Sequence, residues 1–319
     1  MNDDVSRRAA RQGTLAAALT ALLLILVKLA VGFWTGTVVV IASAVDSLLD
    51  FVVSSFNVYA VRNAERPSDP AYNYGRGKIE GVAAFTEGIV IFASALYILR
   101  QAVFKFVVPG SLGLEWRMPE AIPALSLDWA MGAMAFSLAV TAALVSFLKR
   151  KAKETSSLVL RSDTVHYQTD LLSNGGILAT LALVRVTGWA WLDPLIALGV
   201  AFYVARAAIP LIRKGLAMLL DHALEDDLVE AIRAIAETTS DRVSGVHELK
   251  TRRSGDTNLV EFHLVFDEGI SLREAHQVSD EIEMRVRALA ETRWIVNIHL
   301  DPVDDSHKDK KLARRAREE

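Results

Sequence analysis

Two short patterns in this chain have side chains of the right type and spacing to bind metal. The first is Asp163-Thr164-Val165-His166-Tyr167-Gln168-Thr169-Asp170, inside a long apolar run. The second is Ala44-Val45-Asp46-Ser47-Leu48-Leu49-Asp50, inside an earlier one. Each holds a pair four apart, His166 with Asp170 and Asp46 with Asp50, which on a helix places both side chains on one face about one turn from each other. Asp46, Asp50, His166 and Asp170 together offer three carboxylates and one imidazole. That donor set suits a divalent cation, Zn²⁺ in tetrahedral geometry above all, with Fe²⁺, Cd²⁺, Co²⁺ and Mn²⁺ as weaker fits. All four groups take up protons when a metal leaves, so such a site can exchange one cation for the other.

The elements that must position these residues are membrane helices. The chain has 319 residues, is 52% hydrophobic and has a mean hydropathy of +0.28, with the apolar residues clumped. Runs of about 20 apolar residues are long enough to cross a hydrocarbon core, and in lipid they must be helices to satisfy their own backbone. Six spans are expected, near 13–34, 37–61, 79–106, 124–148, 156–184 and 189–212. An ionisable side chain inside such a span costs a few kcal/mol and marks a functional site by default. The first apolar run is too long for a signal peptide and is read as a retained span.

Basic residues set the orientation. Arg7, Arg8 and Arg11 precede the first span; Arg62, Arg66, Arg76 and Lys78 follow the second; Lys149, Arg150, Lys151, Lys153 and Arg161 follow the fourth; Arg213 and Lys214 follow the sixth. The opposite connections are poorer in Lys and Arg, which puts both termini in the cytoplasm. The connection near 107–123 holds Pro109, Gly110, Gly113, Pro119 and Pro123 and reads as irregular.

From about residue 221 the chain becomes mixed in charge. A helix is expected over 224–239, strands over 246–253 and 258–267 around a turn at Ser254-Gly255-Asp256-Thr257, and a helix opened by the capping box Ser271-Leu272-Arg273-Glu274 and running to about 292. A third strand is expected over 294–300. This αββαβ order predicts a small α+β sandwich with its helices on one side of a sheet. The expected division is a cytoplasmic segment 1–12, a six-helix membrane domain 13–214, a cytoplasmic domain 215–304 and a disordered basic tail 305–319. His263, His299 and Asp301 fall on strand faces turned away from the apolar pattern, which suggests a second metal site. His222 and His307 have no paired partner in sequence and are assigned no role. The chain has no cysteine, so thiolate ligands and disulfides are excluded. No HExxH or other hydrolytic signature is present, so an enzyme is not expected, nor is a nucleic-acid partner or an organic cofactor.

With these motifs in hand, the chain resembles the cation diffusion facilitator family, in particular its bacterial zinc and iron efflux members. The resemblance spans about 13–303. It rests on the two motifs above, on Tyr74-Gly75-Arg76-Gly77-Lys78, on Asp193-Pro194 and on the αββαβ domain. It implies a homodimer of six-helix protomers in the bacterial inner membrane, exchanging cytoplasmic divalent metal, most plausibly Zn²⁺, for external protons by alternating access. It assigns Asp46, Asp50, His166 and Asp170 to the transport site. His247, His263, His299 and Asp301 match a regulatory metal site in the cytoplasmic domain, with His276 reaching in from the second protomer. Lys78 and Asp221 match a charge interlock holding the membrane domains together at the cytoplasmic face. Some bacterial members carry a further site of one Asp and two His after the second span. Here Asp69 is accompanied by Tyr72 and Arg76, so that site is expected to be absent. The rival readings are the same antiporter with Fe²⁺ or Cd²⁺ as main substrate, and a membrane-anchored metal sensor that binds without transporting.

Overall fold

The structure, a computed structural model, describes residues 3–35, 38–107, 124–187 and 192–304. The expected tail 305–319 with His307, and the connection 108–123, lie outside the described residues. The chain divides into two compact units at Leu216/Ala217.

The N-terminal unit is built from six long helices, α1 (Asp3–Thr35), α2 (Val38–Ala64), α3 (Ile79–Val107), α4 (Ala124–Lys151), α5 (Leu158–Thr187) and α6 (Leu192–Leu219). Five of them, α1 to α4 and α6, carry stretches long and apolar enough to cross a membrane. Their outer faces expose large apolar side chains such as Leu19, Leu26, Leu49, Tyr97 and Phe202, which suits contact with lipid tails. α5 is the more polar exception, because Arg161, Asp163, His166 and Asp170 fall in its first half. It is tucked among its neighbours instead, touching α2, α3 and α4. Tyr167 and Leu160 pack with Leu144, Val145 and Leu148 of α4 and Ala17 of α1. Val159 packs with Ala10, Ala60, Val61 and Ala83. The part of α5 that carries the ionisable residues thus has its apolar side chains Val159, Leu160 and Tyr167 in protein contacts, while Leu172, Leu183 and Val186 further along are exposed.

α5 begins where α3 provides an acceptor. Glu80, in the first turn of α3, accepts from the Leu158 amide at 2.9 Å and from Ser157 Oγ at 3.1 Å. A carboxylate at a helix N-terminus satisfies amides that have no partner in the helix and favours its dipole. α3 and α6 approach closely at Gly215, where an added Cβ would stand 2.6 Å from the Phe85 amide nitrogen. Small residues at such crossings let membrane helices touch along their backbones.

The C-terminal unit follows α6 through a left-handed residue. Asp221 has φ 55°, and the His222 amide donates back to the Ala217 carbonyl at 2.9 Å, a Schellman-type end. The unit comprises α7 (Asp226–Thr238), β1 (Val243–Ser254), β2 (Thr257–Phe266), α8 (Leu272–Arg287) and β3 (Arg293–Asp301). The sheet order is β1-β2-β3, antiparallel then parallel. α7 and α8 cover one face. Ile232, Ala236, Ala275, Ile282 and Val286 pack there against Val260, Phe262, Leu264, Phe266 and Trp294. Fully burying side chains the size of Phe262 or Ile282 contributes roughly 1.5–3 kcal/mol each. This is the expected α+β arrangement with helices on one side.

Local chemistry sets its boundaries. Both bonds of the Ser271–Glu274 capping box form. The turn between β1 and β2 is tighter than the four residues expected: Ser254 pairs with Thr257, leaving Gly255 (φ 61°) and Asp256. A glycine with positive φ at the first central position is the type II′ pattern that matches strand twist. α8 stops at Arg287, short of the expected 292. Leu289 and Ala290 still pack on the core, but from a turn, and Trp294 Nε1 donates to the Ala290 carbonyl at 3.1 Å. The apolar pattern continues past the helix because the turn into β3 is also packed against the core.

Candidate functional site

In the N-terminal unit, α2 and α5 face each other across a cavity of about 340 Å³. Asp46, Asp50, His166 and Asp170 all line it. His166 Nε2 lies 3.3 Å from Asp50 Oδ1 and 3.5 Å from Asp170 Oδ2. One ligand atom from each of these three residues falls within 4.8 Å of the others, a spacing that can hold one ion. Asp46 is in the wall but outside that triad. His166 is buried, and among the described residues neither its Nδ1 nor Asp170 Oδ2 has a hydrogen-bond partner. Buried polar atoms left unpaired are rare, and here they belong to residues whose chemistry fits a cation.

Sequence reasoning passed over a cation in the same wall. Lys28 of α1 reaches into the cavity and donates to Ser47 Oγ at 2.8 Å and to the Ser43 carbonyl at 3.2 Å. A lone lysine inside an apolar run was the available signal. Tyr167, next to His166 in the chain, is fixed by a 2.9 Å bond between its hydroxyl and Ser54 Oγ, which ties α5 to α2 behind the site.

The C-terminal unit gathers a second group on the sheet face opposite its core. The register places His247 beside His263, and His263 beside His299, one from each strand. Their rings lie at centroid distances of 4.9 and 4.6 Å, tilted to one another by 39° and 45°. Asp301, buried at the end of β3, meets all three: 3.2 Å to His247 Nε2, 2.9 Å to His263 Nδ1 and 3.2 Å to His299 Nε2. His247, His263 and Asp301 bring ligand atoms within 4.8 Å of one another. His247 sits at a β-bulge, since β1 gains a residue between His247 and Lys250, and Glu248 adopts φ 53°. A non-glycine residue there costs on the order of 1 kcal/mol, and bulges recur where a side chain must be re-aimed. Lys250 hydrogen-bonds the Glu248 carboxylate and holds it below the usual carboxylate range. His276, on α8, is exposed and 3.8 Å from Asp280; one protomer does not bring it to the cluster. His222 is exposed, with Nδ1 2.9 Å from the Ala223 carbonyl.

In the connection after α2, Asp69 accepts from the amides of Ala71 and Tyr72 at 3.0 and 2.9 Å and pairs with the Arg76 guanidinium. Arg76 lies 4.1 Å from the centre of the Tyr72 ring. The Arg76 bond, then that of the Tyr72 amide, holds the Asp69 carboxyl below its usual range. The group that would bind a metal is thus already engaged by a protein cation. Asp221 pairs with Arg252 at 3.2 Å within the C-terminal unit, and Lys78 sits directly before α3.

Comparison with known proteins gives a consistent picture. Residues 14–220 match the family profile described as the cation efflux transmembrane domain. Residues 224–303 match the cation efflux protein cytoplasmic domain. A cation-efflux pump FieF of Pectobacterium atrosepticum is 38% identical over 92% of this chain and 94% of its own length. The cation-efflux pump FieF of Shewanella oneidensis is 34% identical over 89% and 91%. A solved structure titled for a putative zinc transporter CzrB in its Zn form is 36% identical, covering 27% of this chain and 96% of its own, with a TM-score of 0.25.

Proposed function

The chain belongs to the cation efflux family, and from that membership we propose that it exports Zn²⁺ from the bacterial cytoplasm in exchange for external protons. Membership already makes it a membrane-embedded protein that moves divalent metal out of the cell, and its relatives are named as pumps, not enzymes. The finer reading rests on the cavity in which Asp50, His166 and Asp170 converge. One imidazole with carboxylates is a borderline-hard donor set that suits Zn²⁺.

Open to the cytoplasm, Asp50, His166 and Asp170 capture the ion, with Asp46 closing on it as a fourth ligand. α2 and α5 are the helices that must move relative to their neighbours to expose the site outside. Protons there compete for the same lone pairs and release the metal. Because the four groups share one cavity, they titrate as a coupled set. Both termini lie in the cytoplasm, and the protein sits in the inner membrane as a homodimer. Lys78 and Asp221 lock the two membrane domains together at their cytoplasmic face. In the C-terminal domain His247, His263, His299 and Asp301 hold regulatory Zn²⁺, with His276 supplied by the second protomer.

The test is flux in liposomes containing a zinc dye, comparing the full chain with Asp170→Ala, with and without a pH gradient. Zinc movement that a proton gradient accelerates and Asp170→Ala abolishes supports the reading. Binding without movement under any gradient sinks it in favour of a metal sensor. Flux of Fe²⁺ or Cd²⁺ without Zn²⁺ keeps the antiport and overturns the substrate.

A further inference from the structure

A second set of buried polar side chains lies outside the cavity wall. Asn57 of α2, Glu87 of α3 and Ser162 and Asp163 of α5 are all at most 2% exposed. Asn57 Nδ2 bridges the two acids, donating to Asp163 Oδ1 at 2.9 Å and to Glu87 Oε2 at 3.2 Å. Ser162 Oγ is in short contact with that same Glu87 Oε2 and is also 2.9 Å from the Val159 carbonyl. Among the described residues, no donor reaches Glu87 Oε1, Asp163 Oδ2 or Asn57 Oδ1.

Counting hydrogens shows that one is missing. An ionised carboxyl only accepts, and a serine hydroxyl has a single hydrogen to give. With both acids ionised, Ser162 faces two acceptors and serves one of them. Two charges joined by one amide would also stand together in an interior from which water is excluded, an arrangement of high cost. A proton on Glu87 Oε2 relieves both problems. Glu87 then donates to Ser162 Oγ, Ser162 donates to the Val159 carbonyl, and Asp163 remains the charged acceptor of the Asn57 amide. The proton comes from water, and no bond between heavy atoms changes.

We propose that Glu87, paired with Asp163 through Asn57, is a proton-binding site separate from the four residues of the metal site. The titratable groups facing the pair are His166, Tyr167 and Asp170 from α5 and Asp50 from α2. A divalent cation arriving at Asp50 and His166 therefore repels the Glu87 proton, so the pair senses the loading of the metal site from behind. That consequence rests on the transport reading; the presence of the proton does not.

The test is the infrared spectrum of the purified full chain at neutral pH, in the region of the carbonyl stretch of a protonated carboxylic acid. The expected result is a band that shifts when glutamate is labelled with ¹³C in the wild-type chain and disappears in Glu87→Gln. Gln can donate to Ser162 as the acid does, but its amide nitrogen cannot accept from Asn57 Nδ2, so this variant is expected to lower the Tm modestly without unfolding the chain. A spectrum with no protonated band that moves on glutamate labelling overturns the proposal without requiring any variant to fold. Liposome flux is read separately: a wild type that shows the band but moves no metal sinks the transport reading and leaves the proton site standing.

Discussion

His166 is the single nitrogen donor among the four proposed ligands and the residue through which the others meet. It lies 3.3 Å from an acid on the facing helix and 3.5 Å from one on its own. Asp46 stands one turn from Asp50, in the same wall but outside this triad. The ligands are therefore not equivalent in this arrangement. Asp50→Asn and Asp170→Asn are expected to weaken Zn²⁺ binding by more than the roughly 10–100-fold typical of losing an outer-shell partner. Asp46→Asn should fall within that range. Titration calorimetry on the detergent-solubilised chain checks this, and equal losses at all three positions would show that Asp46 holds the ion as strongly as Asp50 and Asp170 do. At Asp69 a single residue type decides the outcome. Arg76 delivers a tethered positive charge to the carboxylate, so an incoming cation would first have to displace it.

At the scale of elements, α5 is held by contacts that compensate for its polarity. Glu80 caps its start, Tyr167 ties it to Ser54, and Leu160 and Val159 lie in two separate apolar clusters. The α3–α6 crossing depends on the absence of a side chain. Gly215→Leu would drive a Cβ into the Phe85 amide and the Gly81 carbonyl, 2.6 and 2.8 Å away, and backbone atoms cannot swing aside. Overpacking of this kind costs about 1–3 kcal/mol or more. The expected outcome is a lower Tm in detergent, while a leucine at the lipid-exposed Phe202 leaves it unchanged. An unaltered Tm for Gly215→Leu would show that the two helices do not touch there. In the C-terminal unit, β3 arrives parallel to β2 because α8 returns the chain across the sheet. That pairing alone brings His299 beside His263.

For the whole molecule, the proposed homodimer raises one question that neither unit answers separately: whether metal in the C-terminal domain acts on that dimer. If His276 completes the cluster from the second protomer, Zn²⁺ bridges the two tails and must favour the state in which they are closest. Donor and acceptor dyes on the tails of the full-length dimer should show energy transfer rising with Zn²⁺, with the response lost in His263→Ala and in His276→Ala. A response that survives His276→Ala would confine the site to one protomer. Affinity at this cluster must fall with acidification, since imidazoles bind metal only when unprotonated.

The membrane class, the two paired motifs and the α+β domain were legible in the residues alone. These depend on periodicity: four-residue spacing defines a helix face, alternation defines a strand face, and long apolar runs have no stable home in water. The sequence also pointed to Asp46, Asp50, His166 and Asp170 as candidates, because ionisable groups inside such runs are few. Only the tertiary structure decided which of them meet. A helix face says nothing about the face opposite, so the distance of Asp46 from the triad and the entry of Lys28 from α1 depended on how α1, α2 and α5 pack. The buried pair Glu87 and Asp163 was invisible for the same reason. The two acids are 76 positions apart by their numbers, and only the packing of α2, α3 and α5 against one another lets one Asn57 amide join them. The bulge at Glu248 was likewise a matter of pairing, fixed by β2 lying beside β1 and not by any residue of β1 alone.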